Sequence, residues 1–177
     1  MITYISMLRG INVSGQKKIP MEALKKLYES LGFKNVRTYI QSGNVVFECP
    51  DKNVPAPINM IKKKIRQTYG FEAVVFIRTK DEFKKLIDNT PFLKKDLSKL
   101  HVTFLSETPA RLPMEEINKG KAAAEDFYIS NREIYLYCPD GYGGSTLSNN
   151  FFERKLKVSA TTRNWRTVNE LFKLAGQ

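Results

Sequence analysis

The sequence predicts an α+β fold in which one small unit occurs twice, on three observations. "TYIQSGNVVFECPD" (38–51) and "FYISNREIYLYCPD" (127–140) share Tyr-Ile at the same place and both end in Cys-Pro-Asp, 89 residues apart. "RTKDEFKKL" (78–86) and "RTVNELFKL" (166–174) coincide at Arg, Thr, Glu, Lys and Leu, 88 residues apart. Such a period is too long for a solenoid repeat and fits a duplicated domain. In each half, moreover, strand-like and helix-like periodicities alternate in the order β-α-β-β-α-β. That is the order of a ferredoxin-like unit. The expected architecture is therefore a tandem duplication of such units with antiparallel sheets, each with an extra C-terminal helix, over residues 1–90 and 91–177.

The elements follow in order. "ITYISML" (2–8) is rich in β-branched and aromatic residues, as strands are. After Pro20, "MEALKKLYESLG" sets Met21, Leu24, Leu27, Tyr28 and Leu31 on one helical stripe and stops at Gly32. "VRTYI" and "NVVFEC" form a strand pair around the polar break Gln41-Ser42-Gly43-Asn44. "INMIKKKIRQTYG" (58–70) is amphipathic and also closes on Gly, and "EAVVFIR" (72–78) is a strand. Thr79 and Glu82 spell a capping box for a further helix. The second half runs "HVTFLS", a helix near 113–124, "DFYIS", "EIYLYC", a helix near 145–156 capped near Ser145, and a short strand "SATTR". The final helix is expected to use Thr167 and Glu170 as the same box.

This topology makes the first two strands run in the same direction. The loop "RGINVSGQKK" (9–18) and the turn at 41–44 then emerge at one edge. A turn needs Gly or Asn at its left-handed position, which Gly43-Asn44 supplies. It does not need Gln41 or a long basic loop opposite, and loops longer than closure requires are often functional. Arg9, Asn12, Lys17, Gln41, Ser42 and Asn44 are the candidate ligand-binding residues. Arg163, Asn164 and Trp165 join them if the two domains pack face to face.

The formal charge is +11. It is uneven: residues 1–100 carry 19 Lys and Arg against 9 Asp and Glu, whereas residues 101–150 carry 4 against 7. A positive field attracts nucleotides and nucleic acid, although "IKKKIR" also has the spacing of a solvated helix face. No apolar run has the length of a membrane span, and the N-terminus does not read as a secretory signal. Two cysteines, Cys49 and Cys138, make neither a disulfide framework nor a metal motif. A cytoplasmic protein without cofactor or metal is expected, with its oligomeric state open.

Several motifs fall short. "GINVSGQK" (10–17) approaches a phosphate loop, yet Gln16 replaces its lysine, Lys17 its hydroxyl, and Pro20 delays the helix. A looser anion site of glycine-rich backbone and cations stays open. The glycines of "DGYGGSTLSNN" (140–150) need no ligand to explain them. "SATTRNWRT" gathers Arg163, Asn164, Trp165 and Arg166, which either stack on a base or sit under the last helix. The strand "NVVFEC" does not carry the RNA-binding signature of aromatic sheets. No paired carboxylates in a polar loop, G-x-S-x-G or Cys/His couple is present, Glu115, Glu116, Glu125 and Asp126 read as exposed helix and loop residues, and His101 reads as a structural histidine.

"LRGINVSG", "VRTYIQSGNVVF" and "ATTRNWRTV" together resemble the bacterial family catalogued as domain of unknown function 1697. Two stretches depart from its pattern: Ser14 stands where glycine is usual, and Gly144 and Thr146 where that loop is usually basic. The resemblance implies a small stand-alone cytoplasmic protein and supplies no catalytic residues. The function expected from the residues is binding of an anionic ligand, a nucleotide or nucleic-acid segment, in a cleft of the first loop and the 41–44 turn. A small metal-independent enzyme acting on a phosphorylated metabolite, or a homo-oligomeric module pairing strand edges, are the alternatives.

Overall fold

The computed structural model describes all 177 residues. The chain is α+β, with two four-stranded antiparallel sheets and six α-helices. It divides into two units, one of Met1–Lys85 with Glu170–Gln177 and one of Leu86–Asn169.

The first unit contains β1 (Ile2–Arg9), α1 (Met21–Ser30), β2 (Lys34–Tyr39), β3 (Asn44–Cys49), α2 (Pro55–Tyr69) and β4 (Val74–Thr79). Its sheet order is β2-β3-β1-β4, with every neighbouring pair antiparallel. β1 and β2 therefore run in the same direction, with β3 between them. One face of the sheet packs Tyr4, Leu8, Val45, Phe47, Val75 and Ile77 against Leu24, Leu27 and Tyr28 of α1 and Ile61 and Ile65 of α2. Phe47 lies at the centre of an aromatic cluster with Tyr4, Tyr28 and Phe33, at centroid separations of 5.7, 5.4 and 4.5 Å. Ile5, Met7, Val46, Phe76 and Arg78, which alternate with the first set, are buried as well. Burial on both faces explains why these strands read as continuous apolar runs rather than alternating ones.

The second unit contains β5 (Leu100–Leu105), α4 (Met114–Gly120), β6 (Asp126–Ser130), β7 (Glu133–Tyr137), α5 (Asn149–Leu156) and β8 (Ala160–Asn164), in the sheet order β6-β7-β5-β8. Leu105, Ile134, Leu136 and Ala160 pack with Ile117 of α4 and Phe151, Phe152 and Leu156 of α5. α4 is shorter than the 113–124 expected, and its chain turns extended at Lys121. α5 starts four residues after Ser145 because Ser148 caps it, its hydroxyl accepting from the Phe151 N–H at 3.2 Å. α2 starts at Pro55, where a missing N–H costs nothing.

Two further helices, α3 (Lys80–Asp88) and α6 (Trp165–Leu174), follow β4 and β8 directly. Thr79 and Glu82 form the expected box: the Thr79 N–H donates to Glu82 Oε2 at 2.7 Å and the Glu82 N–H to Thr79 Oγ1 at 3.1 Å. The corresponding expectation for Thr167 is corrected. α6 is capped by Asn164, whose Oδ1 accepts from the Thr167 N–H at 2.8 Å, so Thr167 is already inside the helix. Asn caps as well as Thr does, and the first available cap after β8 wins. No helix is long and apolar enough to cross a membrane.

Candidate functional site

Arg9 ends β1 opposite Val74, the first residue of β4, and Met7 pairs with Asn44, the first residue of β3. Three connections therefore meet at this end of the first sheet: residues 10–20, the β2–β3 turn, and residues 70–73.

The first connection is a small ribbon. Val13 bridges Gln16, and between them Ser14 and Gly15 have φ of 50° and 75°. Two left-handed central residues make the turn type that hairpins favour, and Ser14 adopts it without being glycine. Asn12 ties the ribbon down. Its Oδ1 accepts from the Ile19 N–H at 2.8 Å, and its Nδ2 donates to Ile19 O and Gln41 O, both at 2.9 Å. Both amide protons are thus spent on positioning, so Asn12 fixes the ribbon against the turn rather than offering hydrogen bonds outward.

The turn is seated with equal care. Gly43 has φ of 75°, and its carbonyl accepts from the Leu8 N–H at 2.9 Å. Asn44 is fully buried and donates from Nδ2 to Tyr39 O at 3.2 Å and Ser42 Oγ at 2.8 Å. Of the four residues in the polar break, Ser42, Gly43 and Asn44 build the turn and Gln41 is exposed.

Lys17 reaches the third connection. Its Nζ lies 5.6 Å from the centroid of the Phe71 ring and 3.4 Å from the Glu72 carbonyl oxygen. Phe71 pairs with Tyr69 at 6.2 Å, and the Glu72 carboxylate bonds Arg66 at 3.0 Å. No motif marks these residues. The antiparallel β1–β4 pair is the signal that places them, since it sets the entry to β4 beside the exit from β1. Lys18 and Gln16 are exposed and Arg9 half-buried.

Arg163, Asn164 and Trp165 belong to the second unit. The Arg163 side chain is 9% exposed, and its Nη1 donates to Thr161 Oγ1 at 2.8 Å and Thr162 O at 2.9 Å. Burial pushes its pKa down to about 10, opposed by Tyr142, and it stays charged at neutral pH. Asn164 caps α6, and Trp165, also 9% exposed, lies in that helix's first turn with little of its ring in solvent. His101 stacks on Tyr142 at 5.0 Å, and burial lowers its pKa below the ordinary imidazole value.

An α+β chain with two antiparallel four-stranded sheets, and a braced cluster of polar loops at one sheet end, is the class these features define. The family model described as "Protein of unknown function (DUF1697)" matches residues 1–135, and the chain belongs to that family. The match ends inside β7, so "ATTRNWRTV" lies beyond it. No curated protein matches the sequence. Among solved structures, the conserved bacterial protein SP0830 from Streptococcus pneumoniae is similar, with a TM-score of 0.72, 21% identity and 98% of each chain covered. That likeness concerns the fold.

Proposed function

We propose that the first unit binds an anionic ligand, through the phosphate of a nucleotide or of a nucleic-acid segment, on the loops at the Arg9 end of its sheet. One observation carries this. The ribbon and the turn satisfy their own closure through Asn12, Ser42 and Asn44, so the exposed Lys18 and Gln41 side chains are surplus to folding. Arg9, Lys17 and Lys18 supply charge, the glycine-containing backbone allows close approach, and Gln41 supplies amide hydrogen bonds. Free buried thiols at Cys49 and Cys138 suit the reducing cytoplasm in which we place the protein. The Ser42 hydroxyl is held by the Asn44 amide, which is no base, so this bond gives the enzymatic alternative no support.

Fluorescence anisotropy with a labelled single-stranded oligonucleotide, with ATP as competitor, tests the site. Three phosphate contacts lower affinity roughly twenty-fold between 50 and 200 mM salt. The double variant Lys17→Glu and Lys18→Glu abolishes binding. Competition by ATP at stoichiometric site occupancy assigns a nucleotide; oligonucleotide binding indifferent to ATP assigns nucleic acid. Salt-independent affinity, or a double variant that binds as the parent does, refutes the proposal.

We further propose that the two units are copies of one ferredoxin-like ancestor, over 1–90 and 91–177. Identical strand orders support it. So does register: Tyr4 lies between Phe47 and Thr79, and His101 between Leu136 and Asn164, which keeps the hairpin offset of 89. One residue on, Ile5 faces Arg78 and Val102 faces Arg163. Both arginines are buried, and each donates to the carbonyl of its preceding residue, at 3.0 and 2.9 Å.

A further inference from the structure

We propose that the second unit holds a separate pocket for a small planar molecule bearing one anionic group, of the size and chemistry of a nucleoside monophosphate. The pocket has a volume of about 410 Å³ and is lined by Leu97, Ser98, His101, Asn164, Trp165 and Arg166. That volume lies within the ordinary range for small-molecule sites.

Its walls divide by chemistry. Trp165 and Leu97 give apolar surface, and the His101 ring is held flat by its stack on Tyr142, with an interplanar angle of 24°. Aromatic walls accept a planar ring of any base identity. Arg166 is the one charged lining residue and is exposed, and its planar guanidinium matches a phosphate or carboxylate with two parallel hydrogen bonds. The Asp96 carboxylate beside the pocket is engaged by the N–H and hydroxyl of Ser98, at 2.9 and 2.7 Å. This leaves the Ser98 oxygen as an acceptor for a ring amino group. Asn164 spends Oδ1 on the helix cap and keeps its Nδ2 protons for a ring acceptor. His101 Nδ1 is buried without a hydrogen bond of good geometry, and the Lys99 backbone is the one polar group the ring engages.

The fold alone does not make this pocket. The matching place in the first unit, lined by Met1, Ile2, Thr3, Thr79, Lys80 and Asp81, has about 240 Å³, no aromatic wall, and an acidic residue where Arg166 stands. Its cation, Lys80, stands where Trp165 does; the pocket of the second unit is the larger, has the aromatic surface and carries no acidic lining residue.

Trp165 is the chain's only tryptophan, so its emission reports this pocket alone. Titration with adenosine 5′-monophosphate is expected to give a saturable change in that emission with a sub-millimolar midpoint. Arg166→Ala, a surface change with an unaltered melting curve, raises the midpoint at least about tenfold, the loss of one charge-assisted pair. Inorganic phosphate alone leaves the emission unchanged. The double variant Lys17→Glu and Lys18→Glu titrates as the parent does, which separates this pocket from the first unit's site. No saturable change up to about 5 mM, the limit of weak binding, overturns the proposal. So does an equal response to phosphate, retained affinity in Arg166→Ala, or lost affinity in the double variant.

Discussion

A methyl group at Gly43 has no room. Built there, it meets Ile11 Cδ1 at 2.7 Å and Leu8 Cβ at 2.9 Å, on a backbone whose φ of 75° already excludes most side chains. Gly43→Ala is therefore expected to cost about 2–4 kcal/mol, overpacking and left-handed strain together, as urea denaturation measures. An unchanged midpoint contradicts the seating of the turn on β1. His101 governs a different property. Its folded pKa lies below the ordinary value because burial disfavours the cation. Its contribution to stability is then complete above about pH 6.5 and is lost as pH falls from there toward the folded value. Melting temperatures at pH 7.5 and 5.5 are expected to differ more in the parent than in His101→Phe, which keeps the ring stack. Equal differences contradict it. Asp96 and Glu116, lowered by hydrogen bonds from Ser98 and Lys155, act only at more acid pH. At this scale the sequence revealed that Gly43 turns the chain. It did not reveal that Asn12 reaches Gln41, because a hydrogen bond across 29 residues leaves no local pattern.

Elements were legible where local chemistry and periodicity agree. The α1 stripe, the Gly70 stop of α2 with its φ of 76°, and the Thr79 box are all set by neighbours within four residues. The last helix shows the limit. "RTKDEFKKL" and "RTVNELFKL" align best 88 residues apart, yet the caps Thr79 and Asn164 are 85 apart. The sequence likeness is thus displaced by nearly one turn from the structural one, and β8 ends early enough for Asn164 to cap first. Thr79→Ala and Asn164→Ala are each expected to lose about 1 kcal/mol, while Thr167→Ala leaves its helix's cap intact. Chemical denaturation of the three variants checks this order, and a Thr167→Ala loss through fraying of the first turn of α6 contradicts it.

For the whole molecule, the doubled pattern and the excess of positive charge in residues 1–100 were both in the amino-acid order. Repeats, caps, turns and charge come from residues close in the chain, so the sequence by itself determined the α+β class, the element order and the meeting of the first loop with the β2–β3 turn. Only the tertiary structure decided which polar side chains the fold itself consumes. Asn12 and Asn44 look like binding amides in the sequence and are consumed by partners within the loops, backbone carbonyls and the Ser42 hydroxyl. Arg163 looks like a surface cation and is buried in its sheet. Burial and hydrogen-bond satisfaction depend on residues that packing alone brings together.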